Sequence, residues 1–322
     1  MPSLGDIRTV HRTIGLPELA KRVWREVGED HLFAWAAALA YSWLFAIFPF
    51  LIFLMSLLPH LSASARKTAE DELRTFARQT MPDQAANTLI NNVTDILDKP
   101  RAGLLGLGLL LTLWGASGGL NMTITALDRC YEVDRGRPFY KQRPVAVGLT
   151  LCVATLVITL LILLPIGTIA IRWLMENSHP YVETGLFWTW RILRYPMALL
   201  IMCTILHVVY QYGPSIRQRF NFITPGAVFA IIVWVLLGAA FRVYVNKFGS
   251  YNETYGTVGG VAILLLFFYI DAAVLLVGAE INSEIDFQVL GVPRGSRDFR
   301  KPLMDHTDLA IGSLQPEEVT KP

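Results

Sequence analysis

The run from Val258 to Ala279 constrains this chain more than any other stretch. It holds 22 residues with a single charge, Asp271, near its middle. A run of that length and apolarity reads as a transmembrane helix. A carboxylate at the centre of such a helix costs about 2.5–3.5 kcal/mol on insertion scales, whereas each Val, Ile, Leu or Phe around it returns about 0.3–0.6 kcal/mol. The helix therefore inserts, and the bundle must accommodate Asp271. Gly256, Gly259 and Gly260 at its start let a second backbone come close. Glu280, Asn282 and Glu284 mark where it leaves the lipid.

The rest of the chain has the same character. Charged residues make up 17% of it, against about 25% in soluble domains. The apolar runs predict an all-α membrane protein with six transmembrane helices, over about 33–58, 103–126, 144–171, 188–209, 222–245 and 257–281. Residues 1–31 form an N-terminal segment before the first span. Within it Leu16, Leu19, Ala20, Val23 and Val27 share one helical face, with Lys21, Arg22 and Arg25 opposite. That pattern fits a helix lying on an anionic leaflet, or a solvated connector. Residues 59–102 form a polar loop with helical periodicity, read as a periplasmic cap. Residues 285–322 form a polar, partly disordered tail.

Several polar and small residues stand out within the spans. Pro49 should kink the first helix, and Tyr41 and Ser42 put hydroxyls near its mid-depth. On the second, Trp114, Ser117, Gly118, Asn121, Thr125 and Asp128 fall on one face. Gly115 and Gly119 add a close-packing spacing. This face is either a helix–helix seam with satisfied hydrogen bonds or the lining of a polar pathway.

Orientation follows from the basic residues. With the N-terminus inside, the inner segments carry 17 Lys and Arg and the outer segments 8. Both termini are therefore expected in the cytoplasm and the 59–102 cap outside. On this topology Asp271 lies level with Tyr41, Ser42, Trp114, Ser117 and Trp234, and no Lys or Arg shares that depth. A carboxyl there is expected as the neutral acid, donating a hydrogen bond to a hydroxyl or carbonyl. Two roles stay open for it: a buried hydrogen-bonding residue, or a group exchanging a proton with a water-filled cavity.

Other chemistries find little support. Cys130, Cys152 and Cys203 are dispersed, which excludes a disulfide framework or CxxC motif; they read as small buried hydrophobes. The six histidines, 11, 31, 60, 179, 207 and 306, are scattered. No metalloprotease, P-loop or serine-hydrolase motif appears, so no metal, cofactor or catalytic residue is expected. The basic loop 127–143 reads as cytoplasmic placement rather than a nucleic-acid surface.

Four segments carry a resemblance. They are Ala36-Ala37-Ala38-Leu39-Ala40-Tyr41 with Phe48-Pro49, Arg137-Pro138-Phe139-Tyr140-Lys141, Tyr255-Gly256-Thr257-Val258-Gly259-Gly260, and Gly278-Ala279-Glu280-Ile281-Asn282. Together they resemble the YihY/BrkB family of bacterial inner-membrane proteins, over roughly residues 20–290. The resemblance implies a six-helix inner-membrane protein. Members have carried ribonuclease and virulence-factor labels, and some are associated with envelope lipid handling. Similar members usually have a small or neutral residue where this chain has Asp271.

Three readings follow. The first is a protein of the lipid bilayer that moves or handles a lipid, amphiphile or other envelope solute. The second is an accessory protein binding envelope partners through the 59–102 cap. The third, a membrane-bound ribonuclease, lacks the residues its chemistry would need.

Overall fold

The computed structural model describes residues 1–57 apart from 14, residue 74, residues 105–176 apart from 134, and residues 180–248, 251–291 and 298–299. The expected cap at 59–102, apart from residue 74, and nearly all of the tail beyond 291 lie outside the described residues.

The described chain is helical. In order, α1 is Asp6–Thr13, α2 Leu16–Glu29, α3 Leu32–Leu57, α4 Leu105–Cys130, α5 Phe139–Glu176 and α6 Pro180–Tyr212. Strand β1 (Arg217–Gln218), α7 (Pro225–Phe248), α8 (Tyr251–Leu290) and β2 (Asp298–Phe299) complete it. Among the described residues, three helical stretches are long and apolar enough to cross a membrane: Phe139–Leu160, Ile192–Tyr212 and Val261–Gln288. A fourth candidate is the pair Leu16–Glu29 and Leu32–Ile47, bent by 63°. The bend falls at Asp30-His31. The Asp30 N–H closes the last turn of α2 onto the Glu26 carbonyl at 2.8 Å, and His31 takes a left-handed φ of 52°. A left-handed residue is how a helix commonly stops.

The chain forms two compact units. The first comprises residues 1–40, 123–138 and 209 onward. In it α8 packs against α7, α2 and α1. The apolar face expected on α2 is only partly as read: Leu19, Val23 and Val27 are buried, while Leu16 and Ala20 are exposed. Leu19, Val23 and Val27 are thus covered by protein, while Lys21, Trp24 and Arg25 on the rest of α2 are exposed. Strands β1 and β2 pair in parallel, Arg217 with Asp298 and Gln218 with Phe299. This seats the fully buried Phe299 against Tyr131 and Phe287, with ring centroids 5.8 and 5.5 Å away.

The second unit comprises residues 41–122 and 139–208. Here α3 and α4 meet through small residues. A Cβ on Gly115 would stand 3.1 Å from Pro49 Cγ, and one on Gly119 would stand 3.1 Å from Ala46 Cβ. Helix α5 begins at Phe139, five residues before the expected start of the third span. The stretch read as a loop over 127–143 is thus helical at both ends, with only 131–138 between helices.

Candidate functional site

The end of α8 carries the densest polar cluster in the first unit. Glu280, Asn282, Ser283, Glu284 and Asp286 are all buried, although a polar helix end would normally be solvated. Their burial follows from what they hold. Thr224 is the N-cap of α7, and its Oγ1 accepts from the Ala227 N–H at 3.2 Å. Asn282 completes that cap from α8. Its Oδ1 accepts from the Gly226 N–H at 2.8 Å, and its Nδ2 donates to Thr224 Oγ1 at 3.1 Å. Two amides left open by the helix start thus find partners.

The approach that makes this possible is set one turn earlier on α8. A Cβ on Gly226 would sit 1.8 Å from the Gly278 carbonyl oxygen, and a Cβ on Gly278 would sit 2.5 Å from the Tyr210 hydroxyl. Only glycine fits at either position. Tyr210 in turn donates to the Leu275 carbonyl at 2.8 Å. Gly278 and Asn282 are four residues apart, so both face α7. The spacing in Gly278-Ala279-Glu280-Ile281-Asn282 is therefore a packing and capping device. Glu280, one turn removed, accepts from the Ser283 hydroxyl at 3.5 Å, and its Oε2 is buried without a hydrogen bond among the described residues.

A second polar clamp joins the end of α4 to the end of α6. Asp128, 5% exposed, accepts from the Ser215 N–H at 2.5 Å and from the Ser215 hydroxyl at 2.7 Å. Gly136 lets the 131–138 loop close over it, since a Cβ there would stand 2.7 Å from Asp128 Oδ2. The next residue, Arg137, donates to the carbonyls of Tyr212, Gly213 and Pro214 at 3.3, 2.7 and 2.8 Å. A guanidinium on the last carbonyl of α6 and the two that follow it satisfies open acceptors and complements the dipole. Burial lowers the Arg137 pKa from its ordinary value, and the Asp128 carboxylate acts in the opposite sense.

The remaining expected residues lie apart from these clamps. Asp271 is half-buried near the middle of α8, and its carboxyl makes no hydrogen bond or ion pair with a described residue. The expected hydrogen bond to a neighbouring hydroxyl or carbonyl is therefore not formed among the described residues. In the second unit, Tyr41 is exposed with its ring 4.7 Å from that of Phe45. Asn121 is half-buried, its carbonyl accepting from Gln142 Nε2 at 3.2 Å. Pro49, Gly115 and Gly119 form the α3–α4 seam. Gly256 and Gly260 fall in the first turns of α8, and their surroundings lie outside the described residues. Of the cysteines, Cys130 is buried as expected, but Cys152 is exposed and Cys203 intermediate.

Arg143, in the first turns of α5, donates to the Trp114 carbonyl at 2.6 Å and stacks on its ring at 4.2 Å.

Reading the sequence missed Thr224, Gly226, Tyr210, Ser215 and the carbonyl-capping role of Arg137. Thr224-Pro225-Gly226 is a recognisable helix start. Ser215 and Tyr210 have no sequence signal, because their partners are far along the chain. Among the described residues no group of three or more His, Cys, Asp or Glu could hold a metal ion.

Comparison with known proteins bears on the same residues. Residues 23–298 match the family described as virulence factor BrkB. A relative named as ribonuclease-like protein YfkH, from Bacillus subtilis, is 31% identical over 83% of this chain and 94% of its own length. UPF0761 membrane proteins of Xanthomonas oryzae and Xanthomonas campestris are 27% identical over 82% of this chain. The match spans only 59% of the length of those two proteins. No solved structure matches the chain significantly.

Proposed function

The chain belongs to the BrkB family of membrane proteins, and on that premise we propose that it moves or handles a lipid, amphiphile or other envelope solute in the bacterial inner membrane. In this reading α3 to α8 are the six spans and both termini face the cytoplasm.

The observation that carries the reading is Asp271. It is partly buried within the candidate membrane span Val261–Gln288, without a partner among the described residues. An ionisable group at membrane depth belongs against a polar or water-filled space, and marks substrate or proton pathways. The ribonuclease-like name stays with the Bacillus relative, because nuclease chemistry calls for clustered metal ligands or a positioned acid–base pair.

Complementation of a deletion phenotype by Asp271→Asn and Asp271→Glu, with membrane abundance measured in parallel, tests the proposal. The Asn variant should reach normal abundance and lose function, and the Glu variant should keep part of it. Full function of Asp271→Asn at normal abundance would remove the pathway role and leave an accessory protein.

A further inference from the structure

The face of α5 that begins at Arg143 has a polarity gradient that nothing in the solute-handling reading uses. Arg143, Val147 and Leu151 are spaced four residues apart and so share one face of the helix. Together with Trp114, Phe139 and Tyr140 they line an open groove of about 530 Å³, within the ~300–1,000 Å³ range of small-ligand sites. Trp114, Phe139, Tyr140 and Leu151 are exposed.

The cation at the head of this groove is fixed in place. The Arg143 guanidinium lies 4.2 Å from the centroid of the Trp114 ring and is tethered to the Trp114 carbonyl at 2.6 Å. Among the described residues no carboxylate pairs with it. A second cation, Lys141, stands over the Tyr140 ring at 5.8 Å. Below the cation the lining is wholly apolar. Phe139 also opens the candidate membrane span Phe139–Leu160, so the aromatic and basic turn stands at one end of that span and the apolar turns run into it.

We propose that this groove binds an anionic phospholipid, its phosphate on Arg143 and its acyl chain along Val147 and Leu151. Arginine recognises phosphate through paired N–H donors. Aromatic and basic side chains at the start of a span sit at headgroup depth. The order of the chemistry, cation first and then two apolar turns on one helix face, matches an amphiphile. It does not match a nucleic acid strand, which needs cations repeated along its length. The site is independent of Asp271, and a lipid bound there is a resident ligand whatever solute the protein handles.

The test is native mass spectrometry of the purified full chain, titrated with phosphatidylglycerol or phosphatidylcholine. Wild type should bind phosphatidylglycerol about tenfold more tightly, the value of one charge-assisted contact. Arg143→Gln should remove that preference. Gly148→Phe provides a second variant that keeps the charge. A Cβ at Gly148 meets nothing within 4 Å and points the new side chain into the groove it lines, so the ring fills the groove, and binding of both lipids should fall. Equal binding of the two lipids by wild type would overturn the proposal. So would unchanged binding in folded Gly148→Phe, or full displacement of the lipid by inorganic phosphate or by an RNA oligonucleotide.

Discussion

Gly226→Ala tests whether the α7–α8 crossing is as tight as the structure has it. The added methyl would sit 1.8 Å from the Gly278 carbonyl oxygen, 2.7 Å from its carbon and 2.8 Å from Asn282 Cγ. Two of those atoms are backbone, so no rotamer change relieves the overlap and the helices must separate by more than an ångström. Overpacking of this kind costs about 1–3 kcal/mol. Separation also breaks the bond from the Gly226 N–H to Asn282, now 2.8 Å long and fully buried. Leaving that amide unsatisfied adds about 1–3 kcal/mol. The two effects act in the same direction, giving a loss of about 2–6 kcal/mol. Gly238→Ala on the same helix is the internal control, because a Cβ there meets nothing within 4 Å. The assay is thermal unfolding of both variants in detergent, followed by size-exclusion chromatography. Gly226→Ala should melt well below wild type, and Gly238→Ala should match it. Equal melting of the two variants would refute the close crossing.

Two further outcomes follow. Arg137→Lys replaces three donated bonds with the reach of one ammonium, and should cost about 1–3 kcal/mol, read as earlier thermal unfolding; a neutral result would show that α6 needs no such cap. Reporter fusions after residue 95 should report the outside, and fusions after residues 140 and 300 the inside, as the distribution of basic residues requires; an inside signal at residue 95 would invert the proposed topology.

What could be read from the sequence, and what could not, divides along the range of the forces involved. Apolar length is a local property, so helices were legible where they stand: the run around Asp271 became the core of α8 (Tyr251–Leu290), and the run from Pro144 became part of α5. Helix ends were less legible, because they are fixed by partners distant in sequence. Helix α8 continues nine residues past its expected end, since Asn282 and its neighbours are buried in packing rather than released to water. Composition marked Glu280 and Asn282 as the exit from lipid; geometry makes Asn282 the cap of a helix that begins more than fifty residues earlier. The same reasoning separates Asp128 from Asp271. Both are acidic residues on long apolar helices, Asp128 near the end of α4 and Asp271 near the middle of α8. Asp128 meets two donors from Ser215 and is thereby accounted for. Asp271 meets none among the described residues, and a carboxyl that packing does not explain is the one to test for function.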